Sequence, residues 1–258
     1  MKNTAQVHPR LLCDKMLSSA LSTGRVELRT GVCVLAVKRG EGQPNQVDII
    51  VKDEKSPQEA VMRANVVVVA CGVWSYNILS PHLPTLQMIG LKSHSIVLKP
   101  KSPVTAHAVF LTWVILLSFL SARFNRPTNH TTRFEGVDGR TTEPEVYPRP
   151  DGTVYLCGEA EKQLPSKEQS ISQVTVKESA IQRLRQVAEA LSPNLRDSTL
   201  EISQACILPV PSDHLPLIGP IKCVPGLYCA TGHTWWGTTT TLVLTNCIRL
   251  IFLYKKEF

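Results

Sequence analysis

A chain of 258 residues that is 43% hydrophobic and 19% charged can bury the core of one large or two small domains, which excludes a disordered protein. Its 28 basic and 21 acidic side chains leave a formal charge of +7, but the basic residues are scattered. Lys99 and Lys101 are split by Pro100, and Arg123 and Arg126 flank a polar linker, so no nucleic-acid surface is expected. The eight cysteines form no Cys-x-x-Cys pair and mostly sit in apolar runs, which predicts buried free thiols in a reducing compartment.

Lys2 is followed by polar residues, so the opening does not read as a signal peptide. Pro9 starts a predicted helix in which Leu12, Met16 and Ala20 recur at four-residue spacing before Gly24. Val26–Leu28 and Val32–Val37 read as short strands, the second apolar enough to be buried on both faces. Val47–Val51 is a further strand with Asp48 facing out. The β-branched run from Asn65 to Ala70, closed by Cys71 and Gly72, predicts a central strand ending where glycine permits a tight turn.

Leu91–Leu98 reads as a strand holding His94. The block Ala106–Ala122 is apolar, and periodicity does not choose between a helix and two strands. At fewer than about 20 residues it is short for a bilayer span, and weak membrane association is the expectation it leaves. Ser121–Thr142 is polar and predicts an exposed loop. Pro150-Asp151-Gly152 between two strand-like halves, Glu145 to Cys157, predicts a β-hairpin. Val176–Leu191 is an amphipathic helix with Ile181, Leu184, Val187, Ala188 and Leu191 on one face, stopped by Pro193. Leu200–Leu208 is strand-like, Pro209–Pro220 is too proline-rich for a regular element, and Gly226–His233 is a short strand ending in glycine. The histidines are too scattered for a Ser/His/Asp triad or a metal-ligand cluster.

The segment from Pro209 to Gly219, followed by Gly226-Leu-Tyr-Cys-Ala-Thr-Gly-His-Thr-Trp-Trp-Gly237, resembles the carboxy-terminal signature of the D-amino-acid oxidase/glycine oxidase superfamily. The likeness is strongest to fungal oxidoreductases linked to endosomal traffic. Gln6-Val-His-Pro9, Val66-Val-Val-Val-Ala-Cys-Gly-Val-Trp74 and the hairpin from Tyr147 to Glu159, with its Gly-Glu pair, fit the same family.

The resemblance implies a mixed α/β fold, a partial Rossmann-like FAD-binding domain interleaved with an antiparallel-sheet substrate domain. It implies boundaries at 1–80 and 195–241 for the first and 81–194 for the second, with an atypical insert at about 106–131 and an apolar tail at 242–258. FAD is the implied cofactor. Val34 lies on the strand matched to the adenine side. Ala70, Gly72 and Trp74 match the turn near the ribose or pyrophosphate, and Gly232, His233, Trp236 and Gly237 match the loop beside the flavin ring. The implied substrate is a small amine or amino acid oxidised by hydride transfer, with O2 or another electron acceptor. Arg149 and Arg140 are the candidates for binding a substrate carboxylate.

Two departures set a competing expectation. A G-x-G-x-x-G turn, which would meet the pyrophosphate, does not occur in the sequence, and Gly237 is followed by four threonines, poor formers of a helix interior. The alternative is a catalytically inactive chain with a structural or endosomal-trafficking role. The expected location is cytoplasmic, at late endosomes.

Overall fold

The computed structural model describes residues 7–42, 46–56, 58–110, 134–135, 141–142, 144–164, 166 and 169–240. It is a mixed α/β chain divided into two compact units, Met1–Leu86 with His214–Phe258, and Gln87–Asp213.

In the first unit, α1 (Pro9–Leu21) is followed by β1 (Val32–Arg39), β2 (Val47–Asp53) and β3 (Glu59–Ala64), an antiparallel sheet in the order β1-β2-β3. β4 (Val67–Val69), a 3-10 turn at Gly72–Trp74 and α2 (Ser75–Leu79) close the first stretch. The second unit contains β5 (Met88–Lys99), β6 (Val109–Phe110), β7 (Phe134–Glu135), β8 (Thr141–Thr142), β9 (Glu145–Pro148), β10 (Val154–Lys162), α3 (Glu178–Leu191), α4 (Pro193–Arg196) and β11 (Thr199–Pro211). The chain then returns to the first unit with β12 (Leu217–Pro220), β13 (Leu227–Thr231) and a 3-10 turn at Thr234–Trp236.

α1 begins as expected, with Pro9 in its first turn and His8 as N-cap. None of its residues is buried, so its apolar positions do not contribute to the unit's core. Residues 26–28 do not form the expected strand: Val26 and Leu28 are exposed and carry no ladder. β1 is likewise not buried on both faces. Among the described residues it is an edge strand, Val37 is its one buried residue, and its register shifts between Val34 and Ala36. Asp48 on β2 stands opposite Arg63 on β3 and pairs with it at 3.3 Å.

The run 65–70 yields only the three-residue β4, and among the described residues it is an edge strand, parallel to β13 in the order β12-β13-β4. The central placement expected for it is therefore corrected. One face still enters the core: Val69 packs with Val37, Val47, Leu79, Ile221 and Leu227. His82 reinforces this core from the loop after α2, its Nε2 lying 2.7 Å from the carbonyl of Val37.

The second unit is built on an antiparallel sheet in the order β11-β5-β10-β9-β6, and its core contains Ile96, Leu98, Val154 and Leu156 from the sheet with Ile181, Leu184, Val187 and Ala188 from α3. The predicted helical face is thus the buried one. The hairpin is also as expected: Asp151 Oδ1 accepts from the backbone N–H and the hydroxyl of Thr153 at 2.9 and 2.6 Å.

The proline-rich segment is more regular than expected, since β11 runs through Pro209 to Pro211 and β12 ends at Pro220. Among the described residues β11 and β12 are both edge strands, where a residue without an N–H costs no ladder bond if that position faces outward. The cysteines described are free thiols, yet Cys13, Cys33, Cys71, Cys206 and Cys223 are exposed and Cys229 is buried. Exposure follows from their places in α1, on edge strands and in turns, where local hydrophobicity does not imply a covering layer. Most of the apolar block after Phe110, and Arg140, lie outside the described residues. Among the described residues no helix is long and apolar enough to cross a membrane.

Candidate functional site

β4 and β13 run parallel, with Val67, Val68 and Val69 opposite Leu227, Tyr228 and Cys229. Their carboxyl ends therefore lie side by side, and each turns at a glycine: Gly72 has φ +57° and Gly232 φ +81°. Both values belong to the left-handed region, where a side chain is strained. The Thr231 hydroxyl, on a residue that is 2% exposed, donates to the carbonyl of Gly72 at 2.9 Å. The space beside Gly72 is open, because a Cβ built there meets nothing within 4 Å. Open ground beyond the carboxyl ends of parallel strands is where α/β sheets take their ligands.

After Gly232 the chain continues through His233 into the 3-10 turn, and Gly237–Thr240 carry on in helical conformation. Thr240 Oγ1 is bonded within this stretch. It donates to the carbonyl of Trp236 at 2.9 Å, which gives the hydroxyl a partner within the turn. It also lies 3.2 Å from Nδ1 of His233.

Nε2 of His233 is buried without a hydrogen-bond partner among the described residues, and burial lowers the imidazole's pKa. Beside it Trp235 and Trp236 are 58% and 64% exposed, a large apolar surface left in the open. Thr234 adopts φ +51°, an outlier for a β-branched residue and the kind of strain that concentrates at functional sites.

The structure thus brings the Ala70–Trp74 turn and the Gly232–Gly237 turn together through Thr231. Val34 stands in the other sheet of the unit, 42% exposed, on the irregular stretch of β1. An FAD ring system suits what the two turns offer: an open glycine approach, two exposed indoles and a buried nitrogen without a partner. The described residues supply no glycine-rich pyrophosphate turn beside them.

A second constellation lies in the other unit, on the β9–β10 hairpin. Val146, Val154 and Leu156 point into the core, so the alternate residues Glu145, Tyr147, Tyr155 and Cys157 share the opposite face, with Tyr155 opposite Tyr147 and Cys157 opposite Glu145. The Tyr147 hydroxyl donates to Glu145 Oε2 at 2.6 Å. The two tyrosine rings are 6.1 Å apart, and the Arg149 guanidinium sits 5.1 Å from the centre of the Tyr155 ring, within cation–π range. Burial and, after it, the Glu145 carboxylate raise the Tyr147 pKa, and burial raises that of Tyr155. The Cys157 thiol is pushed up to about 12, first by burial and then by the charge of Glu145. Arg149 therefore has a defined place, while Glu145, Tyr147 and Tyr155 were not among the residues singled out from the sequence. The two-residue alternation of the hairpin was the signal for them, since it sets these three on one face with Cys157.

A family described as "DAO: FAD dependent oxidoreductase" has a sequence model that matches residues 1–245. The chain belongs to this family. Among curated proteins it is 28% identical over 248 residues to "Putative oxidoreductase C1F5.03c" of Schizosaccharomyces pombe, covering 92% of this chain and 57% of that protein. It is 28% identical over 261 residues to "Putative oxidoreductase TDA3" of Saccharomyces cerevisiae, covering 91% and 45%. The chain spans about half the length of the curated relatives it matches. In three dimensions it is similar to the glycine oxidase of Bacillus cereus, with a TM-score of 0.66 at 15% identity over 94% of this chain and 56% of that one. That likeness is one of fold.

Proposed function

We propose that this chain contributes the flavin-ring side and the substrate-recognition unit of an FAD-dependent oxidoreductase that oxidises a small amine or amino acid. The observation that carries the reading is the pair of glycine turns at the carboxyl ends of β4 and β13, tied by Thr231 and followed by His233 and the exposed Trp236. Family membership supplies the cofactor and the reaction class.

In this reading Ala70, Gly72 and Trp74 approach the cofactor's ribose or pyrophosphate, Val34 borders its adenine side, and Gly232, His233, Trp236 and Gly237 border its ring. His233, whose pKa partial burial lowers, offers Nε2 as a hydrogen-bonding group to a ring edge, and Trp236 covers apolar ring surface. The chemistry a bound FAD supplies is two-electron oxidation, in which a hydride equivalent leaves the carbon bearing the amine and the electrons pass to O2 or another acceptor. Arg149 is the candidate partner for a substrate carboxylate, because a guanidinium presents paired donors to two oxygens. Glu145 on the same hairpin is the matching candidate for an ammonium group.

The test is anaerobic spectroscopy of the chain loaded with FAD. Loss of the oxidised-flavin absorption band on adding glycine or another small amine supports the reading, and Arg149→Met should raise the concentration required for amino acids more than for amines that lack a carboxylate. A loaded chain whose band persists with every amine and amino acid offered overturns it.

The absence of a G-x-G-x-x-G turn from the 258 residues favours a second reading, a non-catalytic structural role in endosomal traffic. The resemblance to the fungal members adds a cytoplasmic setting at late endosomes, which imaging of the tagged chain with an endosomal marker tests.

A further inference from the structure

α3 covers a face of the second unit's sheet that changes character along its length. At one end Ile96 and Leu98 of β5, Leu156 of β10, and Ile181 and Leu184 of α3 pack together as apolar core. Farther along the same face of β5 stand His94 and Lys92, only 1% and 7% exposed. If simple alternation continued from Leu156, β10 would answer them with Gly158 and Ala160. Instead the register shifts between Cys157 and Glu159, with Gly158 at φ +145°. The bulge advances the phase by one residue, so Glu159 stands opposite His94 and Glu161 opposite Lys92.

The first turns of α3 complete the arrangement. Arg183 Nε lies 2.9 Å from Glu159 Oε2, Lys177 Nζ donates to Glu161 Oε2 at 2.8 Å, and Lys92 Nζ lies 3.6 Å from Glu161 Oε1. Between Lys177 and Arg183 the helix presents Ala180, too small to fill the space. A cavity of about 20 Å³ remains, walled by Ala160, Ala180, His94 and the charged side chains of Glu159, Glu161, Lys177 and Arg183, a volume that accommodates one water molecule.

His94 gives the cavity its chemistry. Its Nδ1 is 3.2 Å from the backbone carbonyl of Glu159, which can only accept, so Nδ1 carries the proton and Nε2 presents a lone pair. That Nε2 is buried and has no partner among the described residues, and a buried acceptor left in that condition is costly. Burial, helped by the charges of Lys92 and Lys177 and opposed by the Glu159 carbonyl and Glu161, disfavours a second proton on the ring.

We propose that this cavity is a binding site for a single water molecule, which donates a hydrogen bond to Nε2 of His94 and links the ring to the ion pairs beneath α3. The water acts as a structural ligand: it fixes one His94 tautomer and joins β5 and β10 to the start of the helix. The adjacent Ser95 hydrogen bonds with Tyr155, so the site stands directly behind the polar face of the hairpin. This inference is independent of whether the chain binds flavin.

The test is nuclear magnetic resonance on the full chain labelled with 15N-histidine. His94 should show a protonated Nδ1 and an unprotonated Nε2 near neutral pH, with cross-relaxation from a slowly exchanging water to its ring protons. Ala180→Val should fill the cavity and abolish that cross-peak while the other histidine signals remain in place. Should that variant fail to fold, the wild-type spectrum still decides. A protonated Nε2, or ring protons with no contact to a long-lived water, overturns the proposal.

Discussion

The hydroxyl of Thr231 donates to the carbonyl of Gly72 at 2.9 Å across a sequence separation of 159 residues. This bond adds a buried side-chain tie between the two turns that the parallel pairing of β4 and β13 already sets side by side. Thr231→Val keeps the shape and removes the donor. The expected loss is about 1–3 kcal/mol of stability, the range for leaving a buried group unsatisfied, read as a lower urea midpoint with an unchanged slope. Flavin affinity should fall with it.

Gly72→Ala separates backbone strain from crowding at the same turn. Because a Cβ there meets nothing within 4 Å while φ is +57°, its cost is conformational, about 1–2 kcal/mol. Gly72→Asn should recover part of that loss, since asparagine tolerates the left-handed region better. Equal stability of Gly72→Ala and wild type in urea would contradict the turn described.

Acid should weaken the second unit from beneath α3. Burial, opposed by the Glu159 carbonyl and aided by the charge of Lys92, holds His94 below its ordinary pKa of 6.5 in the folded chain. The unfolded chain protonates at the ordinary value, so below pH 6.5 the unfolded state binds the proton first and stability falls as pH falls, until the folded ring titrates as well. Once charged, His94 joins Lys92, Lys177 and Arg183 against Glu159 and Glu161 alone. Burial lowers the His233 pKa too, which adds a slope of the same sign from the other unit. Urea midpoints measured through this range should decline, and His94→Gln should flatten the decline in part. A midpoint that rises on acidification would contradict the neutral, buried His94.

Thiol reactivity should separate the cysteines. Cys157, raised to about 12, holds almost no thiolate at neutral pH and should be alkylated slowly. Cys13 and Cys223 are exposed and should react first, with mass spectrometry of a timed reaction giving the order. Glu145→Gln removes a charge that raises the Cys157 pKa and should speed its alkylation.

The elements whose pattern is set by a local core were legible in the sequence. α3 and the hairpin are examples, because their buried faces follow helix and strand periods and Pro150-Asp151-Gly152 dictates a reversal. Segments whose burial depends on distant neighbours were not. Val32–Val37 and Asn65–Ala70 have the composition of interior strands but lie at sheet edges, where one partner is missing among the described residues. The prolines at 209 and 211 hid a strand, because edge position, which makes them tolerable, is a tertiary property.

The site followed the same division. Gly72 and Gly232 mark strand ends in the sequence itself, but the parallel pairing that brings them together and the Thr231 tie have no local signature. Glu159 was visible as part of a Gly-Glu pair, whereas its role beneath α3 depends on the bulge at Gly158.

The most direct test of the central claim is equilibrium titration of the purified chain with FAD, followed by flavin fluorescence and visible absorption, in parallel with His233→Ala and Trp236→Ala. The account predicts saturable binding near one flavin per chain, a perturbed visible band, and weaker binding with an altered band in both variants. No saturable binding by wild type, or a loaded protein whose spectrum neither substitution changes, would contradict it.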